Sequence, residues 1–166
     1  VAIGLVPGLV IARSSFRGHQ FVLSLFAAVF VMPTVVMAAG VRALLPGDPT
    51  GLLPIVIAHT LFNLAIVIRG IAAAPVPVEL EQAATVLGAR PIEVARTITL
   101  PLLRPTLVGL TAVVFALCFT SFGVVRILGS TSSTTLEVEI WRETIILGRI
   151  DRGVVLAVIQ LVMLAV

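Results

Sequence analysis

The side chains able to do chemistry in this chain are few and scattered. His19 and His59 lie far apart, with no carboxylate at ligand spacing from either, so no metal site is expected. Cys118 is the single cysteine. It sits in the apolar run Phe115-Ala116-Leu117-Cys118-Phe119, where a small packing thiol is expected rather than a disulfide. All eleven basic residues are arginine, which excludes a P-loop or Schiff-base lysine within these residues. No His-Glu-x-x-His, Gly-x-Ser-x-Gly or paired-carboxylate arrangement occurs. The chain is therefore expected to catalyse nothing itself and to bind no cofactor. Four polar residues interrupt apolar stretches instead. His59 and Asn63 are four apart and share one helical face, and Thr120 and Ser121 follow the Cys118 run. Polar groups in such stretches face a helix bundle or a water path, so helix-to-helix hydrogen bonding and a translocation path are both open readings.

The elements that must position these residues are long and apolar. Of the 166 residues 59% are hydrophobic and 11% charged, and the mean hydropathy is +1.20. A soluble chain is about half apolar and about a quarter charged, so a multi-pass membrane protein in the lipid bilayer is the expected class. The net charge of +3 comes from arginines scattered between apolar runs, which does not suggest nucleic-acid binding. Expected spans cover about 1–12 (truncated), 21–45, 53–74, 105–125 and 153–166 (truncated). Pro33 lies in the middle of the second, where a membrane helix tolerates proline. The chain begins at Val1 and ends inside an apolar run, so it is expected to be part of a longer protein.

The longest comparatively polar stretch, 78–104, within the loop 75–104, carries the informative spacing. Pro75-Val76-Pro77 stops one helix, and Glu79 and Glu81 fall in the first turn of the next, where negative charge complements the helix dipole. Ala83 and Ala84 favour helix with little bulk. Gly88 is placed to end that helix in a left-handed cap, and Pro91 suits the first turn of a second helix. Helix, sharp turn and helix, lying on the membrane surface, are expected.

Glu81-Gln82-Ala83-Ala84-Thr85-Val86-Leu87-Gly88-Ala89, followed by Ile98-Thr99-Leu100-Pro101, resembles the cytoplasmic coupling loop of ABC-importer permeases. In that family the pattern is E-A-A, three residues, G, nine residues, I-x-L-P. The family's glutamate falls here on Gln82, with an acid one place earlier at Glu81. The order of spans and loops resembles the same family over nearly the whole chain. Leu61-Phe62-Asn63, Cys118-Phe119-Thr120-Ser121-Phe122-Gly123 and Thr134-Thr135-Leu136-Glu137-Val138-Glu139-Ile140 are similar to its thiamine and ferric-iron permease branch. The resemblance implies an all-α polytopic helical bundle, one permease transmembrane domain in a bacterial inner membrane, with loop 75–104 cytoplasmic and segment 127–152 external. It implies cytoplasmic ATPase subunits that carry ATP and magnesium, an extracytoplasmic solute-binding protein, and a second permease half, either a second copy or fused in the same chain. The loop residues expected to couple to the ATPase are Glu81, Gln82, Ala83, Ala84, Gly88, Ala89, Ile98, Leu100 and Pro101. A secondary transporter or channel without an ATPase is the alternative, and it leaves the loop unexplained.

The external segment has its own local pattern. Thr134-x-x-Glu137 fits a capping box. Leu136, Ile140 and Ile145 fall close to one helical face, with Trp141 at its border. A short helix resting at the outer membrane surface is expected there.

Overall fold

The computed structural model describes residues 1–165, and among them the regular elements are helices. In chain order these are α1 (Ala2–Arg13), α2 (His19–Val31), α3 (Thr34–Leu44), α4 (Leu52–Ala72), α5 (Val78–Val86), α6 (Pro91–Val94), α7 (Leu100–Phe119), α8 (Gly123–Leu128), α9 (Leu136–Trp141) and α10 (Ile150–Ala165). π-Helical turns at Ala95–Thr99 and Arg142–Ile146 continue α6 and α9. Among the described residues two helices are long and apolar enough to cross a membrane, Leu52–Ala72 and the continuous Pro91–Phe119, and the bent pair α2–α3 would make a third.

Several expected boundaries move. The stretch 21–45 is not one helix: it breaks at Met32–Pro33, and α3 begins with Pro33 as its N-cap. Proline has no N–H to give the preceding turn, and its ring crowds the carbonyl four residues back. Loop 75–104 does not end in a separate surface helix, because its second helix runs on through the π turn into α7. That π turn lies just before Pro101, where an ordinary α turn would press the proline ring on the Thr97 carbonyl; Leu100 N–H instead reaches back to the Ala95 carbonyl. The helix then stops at Phe119 rather than 125, and α8 is a separate element. For the last stretch, 153–166, the helix starts earlier, at Ile150, and Val166 lies outside the described residues.

The chain forms two compact units. The first comprises Val1–Phe30 and Leu64–Val113. In it α1 meets α4 through Gly4 and Gly8: a Cβ on Gly4 would lie 2.5 Å from Val67 Cγ1, and one on Gly8 2.8 Å from Ile71 Cβ. The glycines thus let two helices approach where larger residues would hold them apart, the small-residue packing of membrane helices. Ala65, Val67, Ile68, Ile71 and Leu103 are buried there.

The second unit comprises Val31–Asn63 and Val114–Val166. Its core joins Ala38 and Val41 of α3, Ile55 and Ala58 of α4, and Val124, Val125 and Leu128 of α8. The exposed surface of α10 is almost wholly apolar, with Val154, Val155, Val158, Leu161, Val162 and Met163 uncovered. A bilayer covers such a face without cost.

Candidate functional site

Helix α5 starts after Pro77 and places Glu79 and Glu81 in its first turn. Its C-terminus is closed by Leu87 N–H to the Ala83 carbonyl at 3.1 Å and Ala89 N–H to the Ala84 carbonyl at 3.0 Å. Between them Gly88 adopts φ +90°, the left-handed conformation that lets the Ala89 bond close back on Ala84 and that a β-branched residue resists. The chain then turns into α6 at Pro91, where the Arg90 N–H donates to the Glu93 carboxylate at 2.8 Å. The expected first helix, turn and start of a second helix are therefore present at their expected residues, though the second helix runs on into α7.

The side chains of α5 divide into two faces. Glu81 points inward, its side chain only 12% exposed. Arg13, at the end of α1, donates to both of its oxygens, with Nε at 2.8 Å from Oε2. The Thr99 hydroxyl, from the π turn, donates to Oε1. One carboxylate thus ties three elements of the first unit. Partial burial alone would raise the Glu81 carboxyl. The hydrogen bonds from Arg13 and Thr99, with the Arg13 charge, outweigh that and hold it below the ordinary carboxylate range.

The outward face holds Gln82, Ala83, Val86, Leu87 and Gly88. Val86 and Leu87 are each 87% exposed, and Leu80 on the same helix is also uncovered. Ala84, Ala89 and Ile98 are half-buried, and Leu100 and Pro101 are exposed. Glu81 and Gln82 therefore face different ways, as one residue step of about 100° around a helix requires. Sequence reasoning missed Arg13 and Thr99. Thr99 occupies the unspecified position of the I-x-L-P pattern, and Arg13 lies 68 residues from its partner; only the fold joins them.

The remaining polar candidates lie in the second unit and do not form one cluster. Asn63 is 4% exposed. Its Nδ2 donates to the His59 carbonyl at 2.8 Å and toward Cys118 Sγ at 3.5 Å. The His59 ring takes no part in that bond. Thr120 returns its hydroxyl to the Ala116 carbonyl at 2.8 Å. Ser121 is buried, and its carbonyl accepts from the Thr135 hydroxyl at 2.9 Å. Only the Asn63 contact with Cys118 joins two helices, α4 and α7; the Asn63–His59 and Thr120–Ala116 bonds each return to the residue's own helix.

The capping box expected at Thr134 is not formed. Thr135 is the N-cap of α9 and spends its hydroxyl on Ser121, while Glu137 accepts instead from Gln160 Nε2 at 2.7 Å. The π turn after Trp141 also shifts the helical phase, so Ile145 is exposed although Leu136 and Ile140 are half-buried. Trp141 packs edge-to-face on Phe122 at 5.8 Å.

Residues 3–166 match a protein family described as "Binding-protein-dependent transport system inner membrane component". The chain is also similar to proteins named "Thiamine transport system permease protein ThiP". The one from Brucella suis biovar 1 is 32% identical over 151 residues, covering 79% of this chain and 28% of the relative. That of Escherichia coli K12 is 28% identical over 184 aligned residues, covering 96% and 34% respectively. That of Haemophilus influenzae is 26% identical, covering 93% and 33%. The chain spans about a third of the length of the curated relatives it matches.

Proposed function

The chain belongs to the family of binding-protein-dependent transport inner membrane components, and from that premise we propose that it passes a thiamine-type solute by alternating access, driven by a separate ATPase that grips α5. The names of the relatives support the solute, and the outward face of α5 supports the grip. Val86 and Leu87 are apolar, adjacent and almost fully uncovered at a helix end whose opposite side is anchored by Glu81. An exposed apolar pair on an anchored helix suits a soluble partner that covers it on binding. The ATPase would carry ATP and magnesium, an extracytoplasmic binding protein would deliver solute, and a second permease half would complete the path. A ligand shifts the balance of two conformers only by its differential affinity for them; ATP acting on the ATPase would supply that difference through α5.

The test is ATP-driven thiamine uptake by the full-length permease reconstituted with its ATPase and binding protein. Leu87→Asp is expected to abolish co-purification of the ATPase and uptake together, while the permease remains in the membrane fraction. Uptake that proceeds without ATP would overturn the reading. Sidedness is tested by cysteines at Arg90 and Ser132 in a Cys118→Ala background. Position 132 is expected to react with an impermeant reagent outside intact cells and position 90 only after lysis; external labelling of position 90 would reverse the assignment.

A further inference from the structure

A groove of ≈ 760 Å³ in the second unit is lined by Arg126, Arg142, Trp141, Glu139 and the hydroxyl residues of one turn, Ser130, Thr131, Ser133 and Thr134, among others. We propose that it recognises a phosphate-type anion, with Arg126 as the principal contact. The Arg126 guanidinium lies over the Trp141 ring, 4.7 Å from its centroid, and Phe122 makes an edge-type contact with the same indole, centroids 5.8 Å apart. Stacking fixes the plane of a guanidinium yet leaves its in-plane N–H donors available. Among the described residues no carboxylate pairs with Arg126, whereas Arg142 is matched by Glu139 at 3.0 Å. The groove therefore carries one uncompensated, oriented positive charge. A fork of donors held in a plane suits bidentate contact with phosphate oxygens.

The facing rim is built to stay in place. Ser130 and Ser133 exchange two backbone hydrogen bonds, at 3.2 and 3.1 Å, closing a tight turn. Gly129 supports it from below: a Cβ there would meet the Val125 carbonyl at 2.3 Å and the Ser133 carbonyl at 2.7 Å. The turn thus places Ser130, Thr131, Ser133 and Thr134 along the groove. Hydroxyls donate to phosphate oxygens without adding charge.

Two sources share this chemistry, a free phosphate or phosphoester and an anionic lipid headgroup. The full-length permease in phosphatidylcholine nanodiscs is titrated with inorganic phosphate, and binding is read as broadening of the phosphate ³¹P resonance. In parallel, phosphatidylglycerol retained by the permease from mixed-lipid membranes is counted by native mass spectrometry. Saturable broadening that Arg126→Gln weakens about tenfold or more supports the site with free phosphate as its ligand. Arg126-dependent retention of phosphatidylglycerol without broadening supports it with the headgroup as its ligand. Arg126→Lys keeps the charge and loses the fork, so it is expected to fall between wild type and Arg126→Gln; it also controls for misfolding. Neither signal in the wild type, or either signal unchanged in Arg126→Gln, would overturn the proposal.

Discussion

Glu81 of the 75–104 loop and Glu137 and Glu143 of the 127–152 segment are paired in opposite ways. In the loop, Glu81 accepts from Arg13 on both oxygens and from Thr99. In the 127–152 segment Glu137 accepts one bond from Gln160, whose own Oε1 is buried without a partner among the described residues. Glu143 has a buried oxygen that accepts no hydrogen bond, with Arg149 at 3.7 Å. Gln160 is only 6% exposed, so its unused oxygen carries a desolvation penalty. A fully paired carboxylate locks elements together, whereas half-paired groups gain little from their present arrangement and yield to another at small cost. Glu81 thus ties α5 to two other elements, whereas Glu137, Glu143 and Gln160 are only partly paired, a contrast that suits the lever proposed at α5 and an adaptable surface proposed for residues 127–152.

The largest effect expected from breaking this comparison is at Gly88. Gly88→Val forces a β-branched residue into φ +90°, at a local cost of about 1 kcal/mol or more. The α5 helix end would then be misaimed. Thiamine uptake by the reconstituted transporter should fall to background while the amount of permease in the membrane is unchanged. Normal uptake would remove the turn from the mechanism.

Next in size is the Glu81 tether. Glu81→Gln and Arg13→Gln should each lower the stability of the purified permease by about 1–2 kcal/mol, since the pair is partly exposed but bidentate. Exchanging the charges, with Arg13→Glu and Glu81→Arg together, should restore at least half of the uptake lost by either single reversal. Gln160→Leu should cost less, within about 1 kcal/mol, because removal of an unsatisfied amide oxygen offsets the lost bond to Glu137. If Gln160→Leu proved the more damaging in thermal unfolding, the contrast between the two regions would be wrong.

The smallest effect is on pH. Glu81 titrates below the ordinary 4.5 in the folded chain. Its contribution is therefore complete above that value and lost as the pH falls through the lowered one. The stability difference between wild type and Glu81→Gln should be constant from pH 8 to about pH 5 and shrink below 4.5. A difference that vanished between pH 6 and 7 would contradict the pairing.

Much of this was legible in the residues, and what was not has physical causes. The α5 helix, the Gly88 turn and the Pro91 start follow from local chemistry: first-turn acids, an αL position and a proline at a helix start act within a few residues. The break at Pro33 was misread because apolar composition alone does not tell a kinked span from two helices. The continuity of Pro91–Phe119 was missed because Pro101 and Pro105 look like stops, and only a π turn accommodates the first of them. The capping box at Thr134 failed because Thr135 and Glu137 found tertiary partners in Ser121 and Gln160. The direction of Glu81 depended on Arg13, which no local pattern announces.

The proposed division of α5 into an anchored face and one gripped by the ATPase is tested most directly by cross-linking in the assembled transporter. Single cysteines at Leu87 and at Glu81, each in a Cys118→Ala background, are challenged with a short bifunctional reagent in the presence of the ATPase subunits. The expected result is a permease–ATPase adduct from Leu87→Cys and none from Glu81→Cys. An adduct from Glu81→Cys with none from Leu87→Cys would place the ATPase on the opposite face and contradict the account.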